Sequence, residues 1–338
     1  SHGYGCGCKI APAVLDESLK GNKTGTEHPG LEVGNGSRDD AAVLDLGNGM
    51  ALISTTDFFM PIVDDAYTFG RIAATNAISD IFAMGGQPNL AVAILGWPVD
   101  KLPAEVASQV LAGGRDACLA AGIPLAGGHS IDSPEPIFGL AVNGLVTAAH
   151  LLRNDTARVG DLLFLTKPLG TGILTTAVKM RGVNERDYSI AVDSMCKLNS
   201  LGSKLGTLGG VHALTDVTGF GLFGHLLEML EGSGLMARLH RDRLPVLPGV
   251  DECLSQHTVP AITYRNWNSY GHLIEEPEVS MLQIGCDPQT SGGLLIALAP
   301  EQREDLISLM KTDKVDPSCL MEIGQIEEYD SGHRIRFI

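Results

Sequence analysis

The sequence predicts a two-domain chain of interleaved strands and helices, and three observations carry that expectation. Its 338 residues exceed what one ordinary compact core needs and suit two domains of roughly 150 residues each. Apolar runs of strand length alternate with helical patterns throughout, and several strands lead directly into Asp or a Gly pair. A Thr-Asp strand end recurs at 56–57 and 215–216, and Gly pairs recur at 127–128 and 292–293, a faint echo of two similar halves.

In the first half, Ala51 to Thr55 reads as a strand ending in Thr56-Asp57, and Phe69 to Met84 as a helix closed by Gly85-Gly86. Leu90 to Leu95 is a second strand and Ala104 to Ala121 a helix. Pro124 to Ala126 then runs into Gly127-Gly128-His129-Ser130, and Ile137 to Val146 closes the half before a polar link from Leu152 to Val159. The second half opens with a strand over Asp161 to Thr166 and a turn at Pro168 to Gly172, which enters a helix running through Lys179. A helical stretch around Ser189 to Leu205 follows. Val211 to Thr215 is a strand leading into Asp216, Leu222 to Leu230 a helix, and Leu294 to Leu298 a strongly apolar strand. The domain boundary is placed between residues 149 and 150.

Composition narrows the function. Apolar residues make up 44% and the 41 glycines are spread along the chain, which fits a globular protein rich in tight turns. The net charge of −16 and the lack of any long basic stretch argue against nucleic acid as a partner. An acidic protein that binds a polyanion needs local neutralisation, and a divalent cation on aspartates supplies it. Seven cysteines, at 6, 8, 118, 196, 253, 286 and 319, form no regular framework, so a reducing, cytosolic compartment is expected. No run reaches the roughly 18 apolar residues of a membrane helix, and no signal-like segment opens the sequence.

Several constellations could carry chemistry. Asn76 and Asp80 are four apart on an otherwise apolar helix and so project from one face, where a metal would satisfy the carboxylate. Asp39, Asp40, Asp57 and Asp216 each stand in or beside a turn next to an apolar strand. Taken singly each is a common turn former; if they converge, only cations make the cluster tenable, and hard oxygen ligands select magnesium or manganese over zinc. Gly127-Gly128-His129-Ser130 offers backbone amides that phosphate or ribose oxygens could approach, although an ordinary tight turn reads the same way. No Gly-x-x-x-x-Gly-Lys-Ser/Thr run occurs, which excludes a simple P-loop. The opening Gly3 to Lys9 segment brings the Cys6 thiol within three residues of an ammonium, the profile of a reactive lid over residues 1–12.

One competing motif is present. Gly219-Phe220-Gly221-Leu222-Phe223-Gly224 matches Gly-x-Gly-x-x-Gly between a strand and a helix, with Asp242 further on, and permits a dinucleotide-binding oxidoreductase. Against it, Asp216 stands where a pyrophosphate would lie. A thiol-based redox or metal carrier acting through Cys6 and Cys8 without ATP is a third class.

Taken in order, Gly5 to Lys9, Ser37 to Val43, Thr55 to Phe59, Asn76 to Asp80, Gly127 to Ser130, Thr215 to Gly221 and Asp287 to Gly293 resemble the signature series of the selenophosphate synthetases over essentially the whole chain. The wider family is similar to aminoimidazole ribonucleotide synthetase. The resemblance implies an α+β chain whose N-terminal domain forms a shared β-barrel with its twin in a homodimer, followed by a larger C-terminal α+β domain. It implies that Asp40, Asp80 and Asp216 bind Mg2+, with Asp80 also touching nucleotide. Lys9, Ser37, Arg38, Asp39, Asp57, Gly128, His129 and Ser130 would contact ATP. Cys6 takes the position that is cysteine or selenocysteine in the family, and with Lys9 would be catalytic. The implied reaction turns ATP, selenide and water into selenophosphate, AMP and phosphate; K+ is carried as a further ion whose requirement the sequence leaves open.

Overall fold

Strand alternation builds the first sheet of the computed structural model, which describes residues 17–18, 28–34, 39–180 and 182–338. Strands β1 (Leu31–Val33), β2 (Ala42–Asp45), β3 (Met50–Phe59), β4 (Gln87–Trp97), β5 (Leu125–Asp132) and β6 (Ile137–Thr147) join in the order β1-β2-β3-β6-β4-β5. Only β4 and β5 run parallel. Along β3 the residues Ala51, Ile53 and Phe59 are buried under a helical layer, while Ser54, Thr56 and Phe58 look the other way. Helices α1 (Ala66–Ala83) and α2 (Ala104–Ala120) form that layer, and Ile53, Phe69, Ile78, Phe82, Phe138 and Leu140 share its core.

Helix α1 starts where the Asp65 side chain accepts the Thr68 amide at 2.8 Å, a side-chain N-cap. It stops at Gly85, whose φ of +74° suits glycine. Buried nearly all round, it lies between the sheet, α2 and a helix of the second half. Its approach to α2 depends on missing side chains: a Cβ on Gly113 would sit 1.9 Å from the Tyr67 carbonyl oxygen, and one on Gly70 would sit 1.9 Å from that of Val110. Gly113→Ala would gain about 1 kcal/mol of helix propensity. It must, however, push two backbones apart in a filled core, so a net loss of about 1–3 kcal/mol is expected in urea unfolding.

The second sheet joins β7 (Leu162–Leu165), β8 (Val211–Asp216), β9 (Met236–Leu239), β10 (Leu294–Leu298), β11 (Met321–Glu327) and β12 (Ile335–Phe337) in the order β12-β9-β11-β7-β10-β8. Its only parallel pair is β9 with β12. Every residue of β10 is buried, as its unbroken apolar run requires. Around it lie α3 (Thr171–Lys179), α4 (Glu185–Cys196), α5 (Gly202–Leu205), α6 (Gly221–Ser233), α7 (Val250–Ser255), α8 (Ala261–Tyr270), α9 (Val279–Gly285) and α10 (Arg303–Thr312). Met195 of α4 belongs to the same core as α1, and Ala191 of α4 to a cluster with Ile173, Leu174 and Ala177 of α3, so this helix joins the two halves.

Some local expectations change. Strand β3 does not end at Thr56-Asp57 but continues to Phe59, because all ten of its residues pair with β6. Gly127-Gly128 is no turn: both lie inside β5, where the register against β4 shifts. A Cβ on Gly128 would meet the Ala93 oxygen at 2.2 Å, and its φ of +148° favours glycine as well. The single helical stretch to Leu205 is two helices, α4 and α5. The echo between halves also dissolves, since among the described residues β3 is an interior strand and β8 an edge.

Candidate active site

Helix α1 and strand β3 run against each other with matched spacing. Four helical residues rise about 6 Å and two strand residues about 6.8 Å, so a pair on one element can meet a pair on the other. Asn76 Nδ2 donates to Asp57 Oδ2 at 2.7 Å, and Thr55 Oγ1 donates to Asp80 Oδ2 at 2.5 Å. Asp40, two residues before β2, is brought beside this row by the β2–β3 pairing. From the other half comes Asp216, the last residue of edge strand β8, next to Thr215, whose hydroxyl donates to Asp40 Oδ1 at 2.9 Å.

Asp40, Asp80 and Asp216 thereby each place a carboxylate oxygen within 4.8 Å of the others. Burial, followed by the charges of Asp216, Asp39 and Asp80, pushes the Asp40 carboxyl well above the usual carboxylate range. Asp39 is pushed up to about 7, chiefly by burial. Asp40 Oδ2 is buried with no hydrogen-bond partner among the described residues. A set of converging, all-oxygen donors with an orphaned lone pair fits a hard divalent cation. The three open into a cleft of about 230 Å³ lined also by Asp39, Thr55, Thr56, Asp57, Thr218, Phe220, His225 and Glu228.

Comparison with known proteins gives the family. Residues 38–146 match the AIR synthase related protein N-terminal domain and residues 158–335 its C-terminal domain. The selenide, water dikinase of Aeromonas hydrophila subsp. hydrophila is 59% identical over 327 residues, 97% of this chain and 94% of that protein. That of Shewanella sp. (strain MR-4) is 57% identical over 327 residues, 97% and 92% of the two. The chain belongs to the selenide, water dikinase family. A crystal structure of hydrogenase maturation protein HypE in complex with ATP shares the fold of this family member at a TM-score of 0.66 and 19% identity, over 99% of this chain and 92% of that one.

In this member of the selenide, water dikinase family, Asp39, Asp40, Asp57, Asp80 and Asp216 line one cleft. Gly128, His129 and Ser130 do not join them. The cross-strand row Asp57–Leu140–Ala93–Gly128 puts three strand spacings, about 14 Å, between Asp57 and Gly128. Cys6, Lys9, Ser37 and Arg38 lie outside the described residues, as does the expected lid.

The dinucleotide reading fails on topology. Among the described residues strand β8 is an edge whose partner, β10, is antiparallel, whereas that motif needs a parallel β-α-β unit. Gly221 and Gly224 serve packing: a Cβ on the first would lie 2.7 Å from the Gly285 oxygen, and one on the second 2.6 Å from the Phe220 side chain. Sequence reasoning passed over Thr218, His225 and Glu228, which enter the cleft from the loop after β8 and from α6. The available signal was His225 and Glu228 three apart on the helix that follows the Asp216 motif.

Proposed function

We propose that this protein moves the γ-phosphoryl group of ATP to selenide, giving selenophosphate, and then uses water to split the remaining anhydride into AMP and phosphate. One observation carries the reading: aspartates from both halves of the chain, Asp40 and Asp80 from the first and Asp216 from the second, meet in one cleft. Relatives 57% and 59% identical that are named selenide, water dikinase support it. Asp40, Asp80 and Asp216 would hold Mg2+, which when bound neutralises charge on the polyphosphate. Asp57, fixed by the Asn76 amide, and Asp80 would position the nucleotide together with Lys9 and residues 37–39, and K+ is a further ion in this reading. The Lys9 ammonium would balance charge on the transferred group, and Cys6 would hold or deliver selenium under a lid of residues 1–12.

The division into residues 1–149 and 150–338 and a cytoplasmic location complete the reading, along with a homodimer. Phe58, Leu90 and Ile131 are 47%, 38% and 58% exposed on the sheet face turned from α1 and α2, and β5 is an edge strand among the described residues. A second copy closing the sheet there would cover them. Phosphorus NMR under anaerobic conditions with ATP, magnesium and selenide tests the activity. Selenophosphate, AMP and phosphate in equal amounts are expected; ATP turnover indifferent to selenide would exclude it. Cys6→Ser is expected to keep ATP affinity within about threefold while selenide-dependent product falls at least about tenfold. A fully active Cys6→Ser protein would remove this thiol from the reaction.

A further inference from the structure

Outside the aspartate cluster, the cleft contains a chain of three side chains. Glu228 Oε2 lies 3.0 Å from His225 Nδ1, a charge contact without the alignment of a hydrogen bond, and His225 Nε2 lies 3.2 Å from Thr218 Oγ1. The imidazole is 6% exposed, and its ring lies on that of Phe220 with centroids 5.5 Å apart at 31°. A carboxylate on the Nδ1 side favours the tautomer with its proton there and leaves Nε2 as the acceptor facing Thr218. Carboxylate, imidazole and hydroxyl in sequence, with the ring held by packing, is the arrangement by which proteins prepare a proton acceptor.

The reaction proposed above has two nucleophiles of opposite need. Hydrogen selenide is far more acidic than a thiol and arrives already as the anion HSe−, so it can attack without first losing a proton to a base. Water is neutral and only very weakly acidic, and must lose a proton as it attacks. We propose that His225, oriented by Glu228, is the general base for the water step, the cleavage of ADP to AMP and phosphate; this inference rests on the reading above. The bond between water oxygen and the β-phosphorus forms while the bond from that phosphorus to the bridging oxygen breaks, and its electron pair leaves on AMP. The water proton passes to His225 Nε2, directly or across the Thr218 hydroxyl, and then to solvent. Glu228 is a positioning residue, acting through the ring.

The test follows both products by phosphorus NMR in a single turnover of the whole protein with ATP, magnesium and selenide. For His225→Gln, selenophosphate should appear within about threefold of the parent rate while ADP accumulates and AMP formation slows about 100-fold. Glu228→Gln should slow the same step about tenfold. Thermal melting checks the fold, and if His225→Gln does not fold, the ADP-to-AMP ratio of Glu228→Gln decides alone. Selenophosphate and AMP falling in parallel, or AMP formation at the parent rate, would overturn the assignment. A parent protein that makes no selenophosphate would instead refute the activity itself.

Discussion

Asp40→Asn is expected to melt no lower than the parent in a chelating buffer and yet to lose at least about a thousandfold in ATP turnover. Two unit charges 4.8 Å apart interact by about 3.5 kcal/mol at an effective dielectric of 20, and three such oxygens crowd this site. Without an ion the cheapest relief is protonation, and Asp40, held well above the carboxylate range by burial and by its acidic neighbours, takes the proton. Asparagine is the neutral isostere of that state and can still accept the Thr215 hydroxyl at Oδ1. A raised folded-state pKa gives a contribution that is present at low pH and lost as pH rises through it. Ion-free parent protein should therefore lose stability as pH rises above the carboxylate range, and Asp40→Asn should not lose that part.

With magnesium the order reverses. An ion at a hundredfold excess over its dissociation constant stabilises the parent by about 2.7 kcal/mol, and the variant should gain almost none of it. Asp80→Asn and Asp216→Asn should abolish turnover in the same way. Calorimetric melting with and without magnesium separates the two effects. A variant that keeps both the magnesium shift and the ATP turnover would show that the cluster is not the ion site.

What the sequence disclosed and what it hid follow from the range of the interactions. Asn76 and Asp80 were legible as one face because four-residue helical spacing is local. Their partners on β3 were misplaced as a strand end, since the pairing of Asp57 with Leu140 on β6 spans more than eighty residues and has no local signature. The glycine pair at 127–128 looks like a turn for the same reason: only the Ala93 backbone, met across β4–β5, explains why a strand contains it. Strands β9, β11 and β12 are short or lack strict alternation, so periodicity gave no hold on the far side of the second sheet. Asp40 and Asp216 could be named individually, but their convergence depends on α1 lying between two sheets.

Lys167 is a lysine that the fold buries, and it supports the second strong prediction. The side chain is 3% exposed, and its ammonium donates to the carbonyls of Lys197 at 2.6 Å and Ser291 at 2.8 Å. Ser291 stands at φ +49°, an uncommon conformation for a residue with a side chain, and its amide donates to Asn76 Oδ1 at 2.7 Å. Lys167 thus holds one end of a chain that runs through Ser291 and Asn76 to Asp57. Burial lowers its pKa from 10.5 to about 7, with Asp216 opposing the shift. Between those values the unfolded chain binds more protons than the folded one, so stability contributed here grows as pH rises and is lost as pH falls toward 7. Relative to Lys167→Met, the parent should gain about 2 kcal/mol between pH 7 and pH 9, since other titrating groups cancel in the difference. The variant leaves two buried carbonyls without their donor, at a cost of about 1–3 kcal/mol each, so it should be the less stable protein at pH 9. Near pH 7 the gap should narrow, because the parent then keeps a charge out of water that methionine does not carry. Urea unfolding of both proteins across this range decides it, and two parallel stability curves would mean that Lys167 does not titrate in the folded protein.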